Sequence, residues 1–235
     1  MERQSIEMRF HEWDEILNKD ASLRNSQEPI AEEDFTQTNL KTVDLLDELF
    51  SHVRSEAKLK ADWQDTKVVF GFYQIEVINR VDKLKSDFTL SVWPSAFKLQ
   101  GQLKYKAFLQ SVGDKFWLEL ASLFTTGKVS LHKGDLNLSI KEKKENQSIL
   151  KNDASVFFSL IRDHMLNAQE NTDNQLFGLE VSWPRDMAWN DLIPQMIRAL
   201  QILYKLEMML YRCAYLCRSR VMKQALKKQI RNRTP

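Results

Sequence analysis

The chain has 235 residues, of which 43% are apolar and 28% charged, with a formal net charge of +2. That balance suits a soluble globular protein able to bury one large core or two small ones. Six glycines and five prolines argue against long structureless loops and glycine-lined phosphate sites, and Lys205, Glu207 and Arg212 break the most apolar stretch, 202–217, so no membrane span is expected.

The N-terminal MERQSIEMRFHEW lacks the apolar core of a secretory signal. Cys213 and Cys217 lie four apart on one predicted helix, where a disulfide is geometrically awkward. A reducing, cytoplasmic location is the expectation. The small net charge hides an asymmetry: residues 1–66 carry 16 acidic and 8 basic side chains, residues 67–235 carry 16 and 26. Such polarity favours intrachain docking, self-association, or an acidic arm that competes for a basic surface.

In chain order, Ile6, Phe10, Trp13, Ile16 and Leu17 follow a helical period and predict an amphipathic helix over 3–19. Residues 20–39 are polar, contain Pro29 and the acidic Glu32-Glu33-Asp34, and read as a linker. Leu40, Val43, Leu46, Leu49, Phe50 and Val53 predict a second helix over about 40–60. At Lys67 the period changes to two. Strands are expected around 69–77 and 88–92, and along 97–110, where Phe97, Leu99, Leu103, Ala107 and Leu109 alternate with Lys98, Gln100, Gln102, Lys104 and Lys106. Gly113-Asp114 reads as a hairpin turn into Phe116, Leu118 and Leu120. The alternative for 106–124 is a helix through Phe108, Val112, Phe116, Leu120 and Leu123. Another hairpin is expected to join Val129 and Leu131 to Leu136, Leu138 and Ile140. A helix over 152–169 and a strand over 176–183 follow.

The last element is a long helix from Asn190 or Asp191, with Pro194 tolerated in its first turn. Leu192, Met196, Ala199, Leu203, Leu206, Leu210, Cys213 and Cys217 form a heptad seam, widened by Ile193, Ile197, Leu200, Tyr204 and Tyr211. That width suits burial across a sheet better than a two-stranded coil. The expected fold is therefore α+β: an antiparallel meander of five to seven strands, flanked by N-terminal helices and a long C-terminal helix. Its regions are an acidic helical 1–66, a sheet region 67–189 with the inserted helix 152–169, and 190–235, which belongs to the same domain as the sheet.

The strongest functional lead is the basic end of that helix. Residues 208–235 hold eight Lys or Arg and no Asp or Glu. Compensation of the helix dipole acts within the last turn, so it accounts for Lys227, Lys228 and Arg231 but not for Arg212, Arg218 or Arg220. The expected binding residues are Arg212, Arg218, Arg220, Lys223, Lys227, Lys228 and Arg231. Their expected partner is nucleic acid or an acidic protein surface, within a homo-oligomer or larger complex. Lys98, Lys104 and Lys106 form a secondary basic strip if they share one wet strand face, though lysines there also discourage edge pairing.

Catalysis finds less support. His11, His52, His132 and His164 lie in separate predicted elements, no metal-ligand spacing or nucleophile motif is evident, and no cofactor is expected. Asp135, Glu142 and Lys144 offer one low-specificity metal-dependent nuclease constellation. The Trp183-Pro184-Arg185-Asp186 corner with Trp189 reads as a core cap before a recognition hot spot. The leading expectation is a non-enzymatic interaction protein, the rivals being a chaperone- or inhibitor-like protein with a sheet–helix groove and the metal-dependent nuclease.

Overall fold

Apolar positions in the N-terminal region sort onto two helices, α1 (Phe10–Asn25, entered by a 3-10 turn at Ile6–Arg9) and α2 (Glu32–Ala57). The computed structural model describes residues 6–26, 32–64, 67–70, 74–133 and 177–231; for Arg218 and residues 220–231 it describes the helix backbone. The linker expected over 20–39 is mostly helix. α1 runs about two turns past Leu17, and there the buried Asp20 accepts from Arg24 Nε, one turn on, at 2.8 Å. The acidic Glu32-Glu33-Asp34 occupies the first turn of α2, where negative charge offsets the helix dipole. Leu45, Leu46, Leu49, Phe50 and Val53 are buried on α2, which packs on α1, the sheet and the C-terminal helix.

Six strands form one antiparallel sheet: β1 (Lys67–Phe70), β2 (Ile75–Val81), β3 (Ser86–Val92), β4 (Ala96–Gln102), β5 (Lys128–Lys133) and β6 (Phe177–Pro184). The strand expected around 69–77 is split, because β1 and β2 form a hairpin with Phe70 opposite Ile75. The meander holds through β4. The sheet order is then β1-β2-β3-β4-β6-β5, so β6 enters between β4 and β5. Buried Leu179, Val181 and Trp183 give β6 a core-facing row with neighbours on both sides.

Two strand expectations fail between β4 and β5. The strand read along 97–110 ends at Gln102, and Lys106–Ser111 is a 3-10 helix. Gly113-Asp114 is not a hairpin but the start of α3 (Asp114–Leu123). Phe116, Leu120 and Leu123 are buried at helical spacing, whereas Leu118, inward in the strand reading, is 71% exposed. The expected strand 136–140 and helix 152–169 lie outside the described residues.

The sheet face that α2 leaves open, over β4 and β6, is covered by α4 (Trp189–Arg231), 43 residues and about 64 Å long at 1.5 Å per residue. It starts before the expected cap: the Ala188 carbonyl accepts from the amides of Asp191 and Leu192, so Pro194 falls in the second turn. Leu192, Met196, Ala199, Leu203, Leu206 and Leu210 are all buried, with Ile193, Leu200 and Tyr204 beside them. Gly101 on β4 lets the helix approach, since a Cβ there would lie 3.2 Å from Leu203 Cβ. Among the described residues no helix is long and apolar enough to cross a membrane.

One charged side chain lies inside this interface. Glu207 is fully buried; its Oε1 lies 2.5 Å from Ser86 Oγ and 3.2 Å from the Lys104 amide, while Oε2 is buried without a partner. Ser86 Oγ also lies 3.2 Å from the Leu84 carbonyl. A neutral carboxyl can donate to Ser86 while Ser86 donates to Leu84. Burial pushes the Glu207 carboxyl up to about 8. A carboxyl raised in the folded state contributes most below its unfolded value and loses that contribution as pH rises through its folded value. Glu207→Gln should match the parent in stability at pH 5 and exceed it by on the order of 3 kcal/mol at pH 8.5, as read by urea denaturation at the two pH values.

Candidate functional site

The expected basic surface starts from helical phase. At about 100° per residue, the exposed residues Pro194, Arg198, Lys205, Arg212 and Leu216 lie on one meridian of α4, nearly opposite the buried seam. Arg212 and positions 220, 223, 227 and 231 fall within an arc of roughly 100° that overlaps this meridian and runs for about 28 Å along the axis. Positions 218 and 228 lie elsewhere around the helix, 228 in line with the seam. The last buried residue described on α4 is Ala214; Tyr215 and Leu216 are 62% and 55% exposed. The backbone thus aligns five of the seven expected positions and separates Arg218 and Lys228 from them.

Lys98, Lys104 and Lys106 do not share one strand face. Lys98 lies on the polar face of β4, its Nζ 3.1 Å from Glu180 Oε1 and 4.2 Å from the centre of the Trp93 ring. Glu180 also accepts from Gln100 at 2.7 Å and lies 3.4 Å from Ser130 Oγ, so this lysine is already neutralised within the sheet. Lys104 follows the end of β4, and its Nζ donates to the Lys85 carbonyl at 2.9 Å. Lys106 begins the 3-10 helix. The alternation that suggested a strip ends where β4 ends.

The tryptophan corner is a core cap. Trp183 is buried, and its indole N–H reaches the Thr126 carbonyl at 2.5 Å and Gln195 Oε1 at 3.1 Å. Gly127 makes room for it, since a Cβ there would lie 2.7 Å from the indole nitrogen. Trp189 packs on Phe10, Trp13 and Phe97 and donates to Asp14 at 2.8 Å. Arg185 donates to the Leu17 carbonyl, to the Trp93 carbonyl at 3.0 Å and to Asp20 at 3.4 Å. Asp20 therefore serves two arginines, Arg24 and Arg185, both with side chains largely buried.

Cys213 and Cys217 are free thiols. Cys213 Sγ lies 3.5 Å from the Ser111 carbonyl, and burial raises its pKa, so it is not an activated nucleophile. Among the described residues no group of three or more His, Cys, Asp or Glu could hold a metal ion. Asp135, Glu142 and Lys144 lie outside the described residues. On the sheet face under α4, Phe88, Phe97 and Leu99 are at most 1% exposed, with Phe88 against Tyr204 and Phe97 against Trp189.

Buried Asp20 and Glu207 were missed as structural sites in the sequence, yet each has a signal. Asp20 follows Trp13 and Leu17 at i+7 and i+3, and Glu207 lies between Leu203 and Leu210 on the seam side of α4. No family model matches the chain, and no curated protein matches it. Arg185→Met should cost about 3 kcal/mol of stability, because it removes a buried ion pair with Asp20 and hydrogen bonds to two backbone carbonyls. Thermal and chemical denaturation check this; a loss below about 0.5 kcal/mol would place the corner among energetically neutral surface features.

Proposed function

We propose that the protein is a non-enzymatic cytosolic interaction protein whose basic C-terminal helix binds the phosphate backbone of nucleic acid, within a larger assembly. The observation that carries this reading is the alignment of Arg212 with positions 220, 223, 227 and 231 along the continuation of the solvent meridian of α4. Long flexible cations in one row engage successive phosphates without base readout, so the binding is electrostatic and tolerant of sequence. The rest of the chain supports the reading by what it occupies: Lys98 is paired with Glu180 on the sheet, and Lys104 donates to the Lys85 carbonyl beyond the end of β4. An acidic protein surface is the second partner of the same chemistry, and direct binding to duplex separates the two.

The test is fluorescence anisotropy with a duplex of about 20 base pairs across a salt series. If five cations of the row engage duplex DNA, the slope of log affinity against log salt is about −4 to −5. Replacing Arg212, Arg220, Lys223, Lys227 and Arg231 by Gln should abolish that slope and leave the melting temperature within about 2 °C, because these changes add or remove no buried group that is described. A parent chain with no affinity for duplex or single strand at low salt rejects the nucleic-acid reading. Retained affinity in the five-fold variant rejects the row as its site.

A further inference from the structure

The two edge strands of the sheet are finished differently. On β5, Val129 stands opposite Val181, both are buried, and lysines occupy the two ends of the strand. Lysines on an edge discourage pairing with another chain. On β1 all four residues are exposed. Val68 and Phe70 stand opposite the fully buried Val77 and Ile75, so they belong to the inner, apolar face of the sheet. The helix over this end of the sheet, α2, lies on β2 and β3, and Val68 and Phe70 remain 36% and 55% exposed. Val69, 42% exposed, lies on the outer face with Lys67.

Among the described residues β1 pairs with β2 alone. Successive residues of an antiparallel strand turn their N–H and C=O groups to opposite sides. One set on β1 therefore points to the open side. An edge that combines such backbone groups with apolar side chains on both faces is a template for a further strand.

We propose that a second copy of the chain supplies that strand, the two β1 strands pairing antiparallel about a two-fold axis at Val69. Such an axis, perpendicular to the sheet, pairs one residue with itself and keeps every side chain on its own face. With Val69 opposite the partner's Val69, Val68 meets the partner's Phe70 on the inner face, and Phe70 the partner's Val68. All three exposed apolar residues are then paired. A register centred on Val68 leaves Phe70 opposite position 66, outside β1, and so uncovered. The charges fit the Val69 register as well. No lysine faces a lysine, the two Lys67 Cα atoms lying about 14 Å apart. Glu76, opposite Val69 on β2, shares the outer face. Its Cα lies about 8 Å from that of its own Lys67 and about 12 Å from that of the partner's Lys67, within side-chain reach of both. Four residues a side make a small interface, so the dimer is weak and concentration-dependent. It leaves the basic row free, because α4 lies over β4 and β6, with β2 and β3 between them and β1.

The test is sedimentation velocity on the full chain from about 5 to about 500 µM, where the average mass should rise from one chain towards two. Val69→Lys sets two like charges opposite each other at the axis, an arrangement that destabilises strand pairs. Its dimer should be at least about tenfold weaker than the parent's, with the melting temperature within about 2 °C because the side chain is exposed. Val69→Glu should behave alike on its own. An equal mixture of the two variants brings opposite charges together at the axis and should restore dimers at least to the parent's level. A parent chain that stays monomeric throughout the concentration range overturns the proposal. So does a Val69→Lys chain that dimerises as the parent does. A mixture that fails to restore pairing rejects Val69 as the point where the two copies meet.

Discussion

Burial of the α4 stripe across the apolar face of the sheet is the contact on which the other elements depend. A sheet that alternates apolar and polar residues has one face that must be covered. In this chain α4 covers β4 and β6 and α2 covers β2 and β3, with α4 held between α2 on one flank and α3 on another. Close approach is possible because Gly101 has no Cβ where Leu203 arrives, and because Gly127 leaves room for the Trp183 ring. A larger residue at either position has to push on β-sheet packing, which interiors at crystal-like density do not absorb freely. Glu207 sits inside this same contact. The helix that organises the core therefore carries a group whose neutral form suits the interior and whose ionised form does not.

The N-terminal helices are attached differently, by a few directed polar bonds added to apolar packing. Arg185, leaving β6, reaches Asp20 and the Leu17 carbonyl on α1, and Trp189 at the start of α4 reaches Asp14. Further along, Gln201 donates to the Ala57 carbonyl and Tyr204 to that of Lys60. These hydrogen bonds and the ring contacts of Trp189 join the acidic first 66 residues to α4 at positions 189–204. The basic row begins later, at Arg212. The charge asymmetry of the sequence is thus laid out along one helix, with the acidic partner segments beside its first half and the cationic positions on its second.

Period was the most legible feature of the sequence. The change from 3.6 to 2 at Lys67 marked the start of the sheet, and the heptad positions Leu192 to Leu210 are buried as their spacing implied. Less legible were the places where two periods fit one stretch. Residues 106–124 alternate well enough for strands, but Phe116, Leu120 and Leu123 also satisfy a helix, and the helix wins with Asp114 at its N-terminus. Polarity misled over 20–39, because polar residues there are not solvated loop: Asp20 and Thr38 are buried on helices. Sheet order could not be read at all, since the insertion of β6 between β4 and β5 depends on long-range pairing. Of the candidate site, the helix and its charge were readable. That Lys98 is spent on Glu180 and Trp93 was not, because those partners lie on other strands or turns.

Charge spacing on α4 also bears on why its end needs a partner under the proposed function. Lys223, Lys227 and Arg231 follow one another at i, i+4, and Arg220 precedes Lys223 by three. Like charges at these spacings oppose helix formation by roughly 0.2–0.5 kcal/mol per pair, and residues 208–235 hold no acidic side chain to offset them. Helix past Ala214 also draws less on burial, since Tyr215 and Leu216 are already exposed. A phosphate backbone laid along the row turns each repulsive pair into two cations sharing neighbouring anions. Under the proposed function the contacts that give affinity would also strengthen the helix that presents them, coupling binding to helical order without any change in the packed body of the protein.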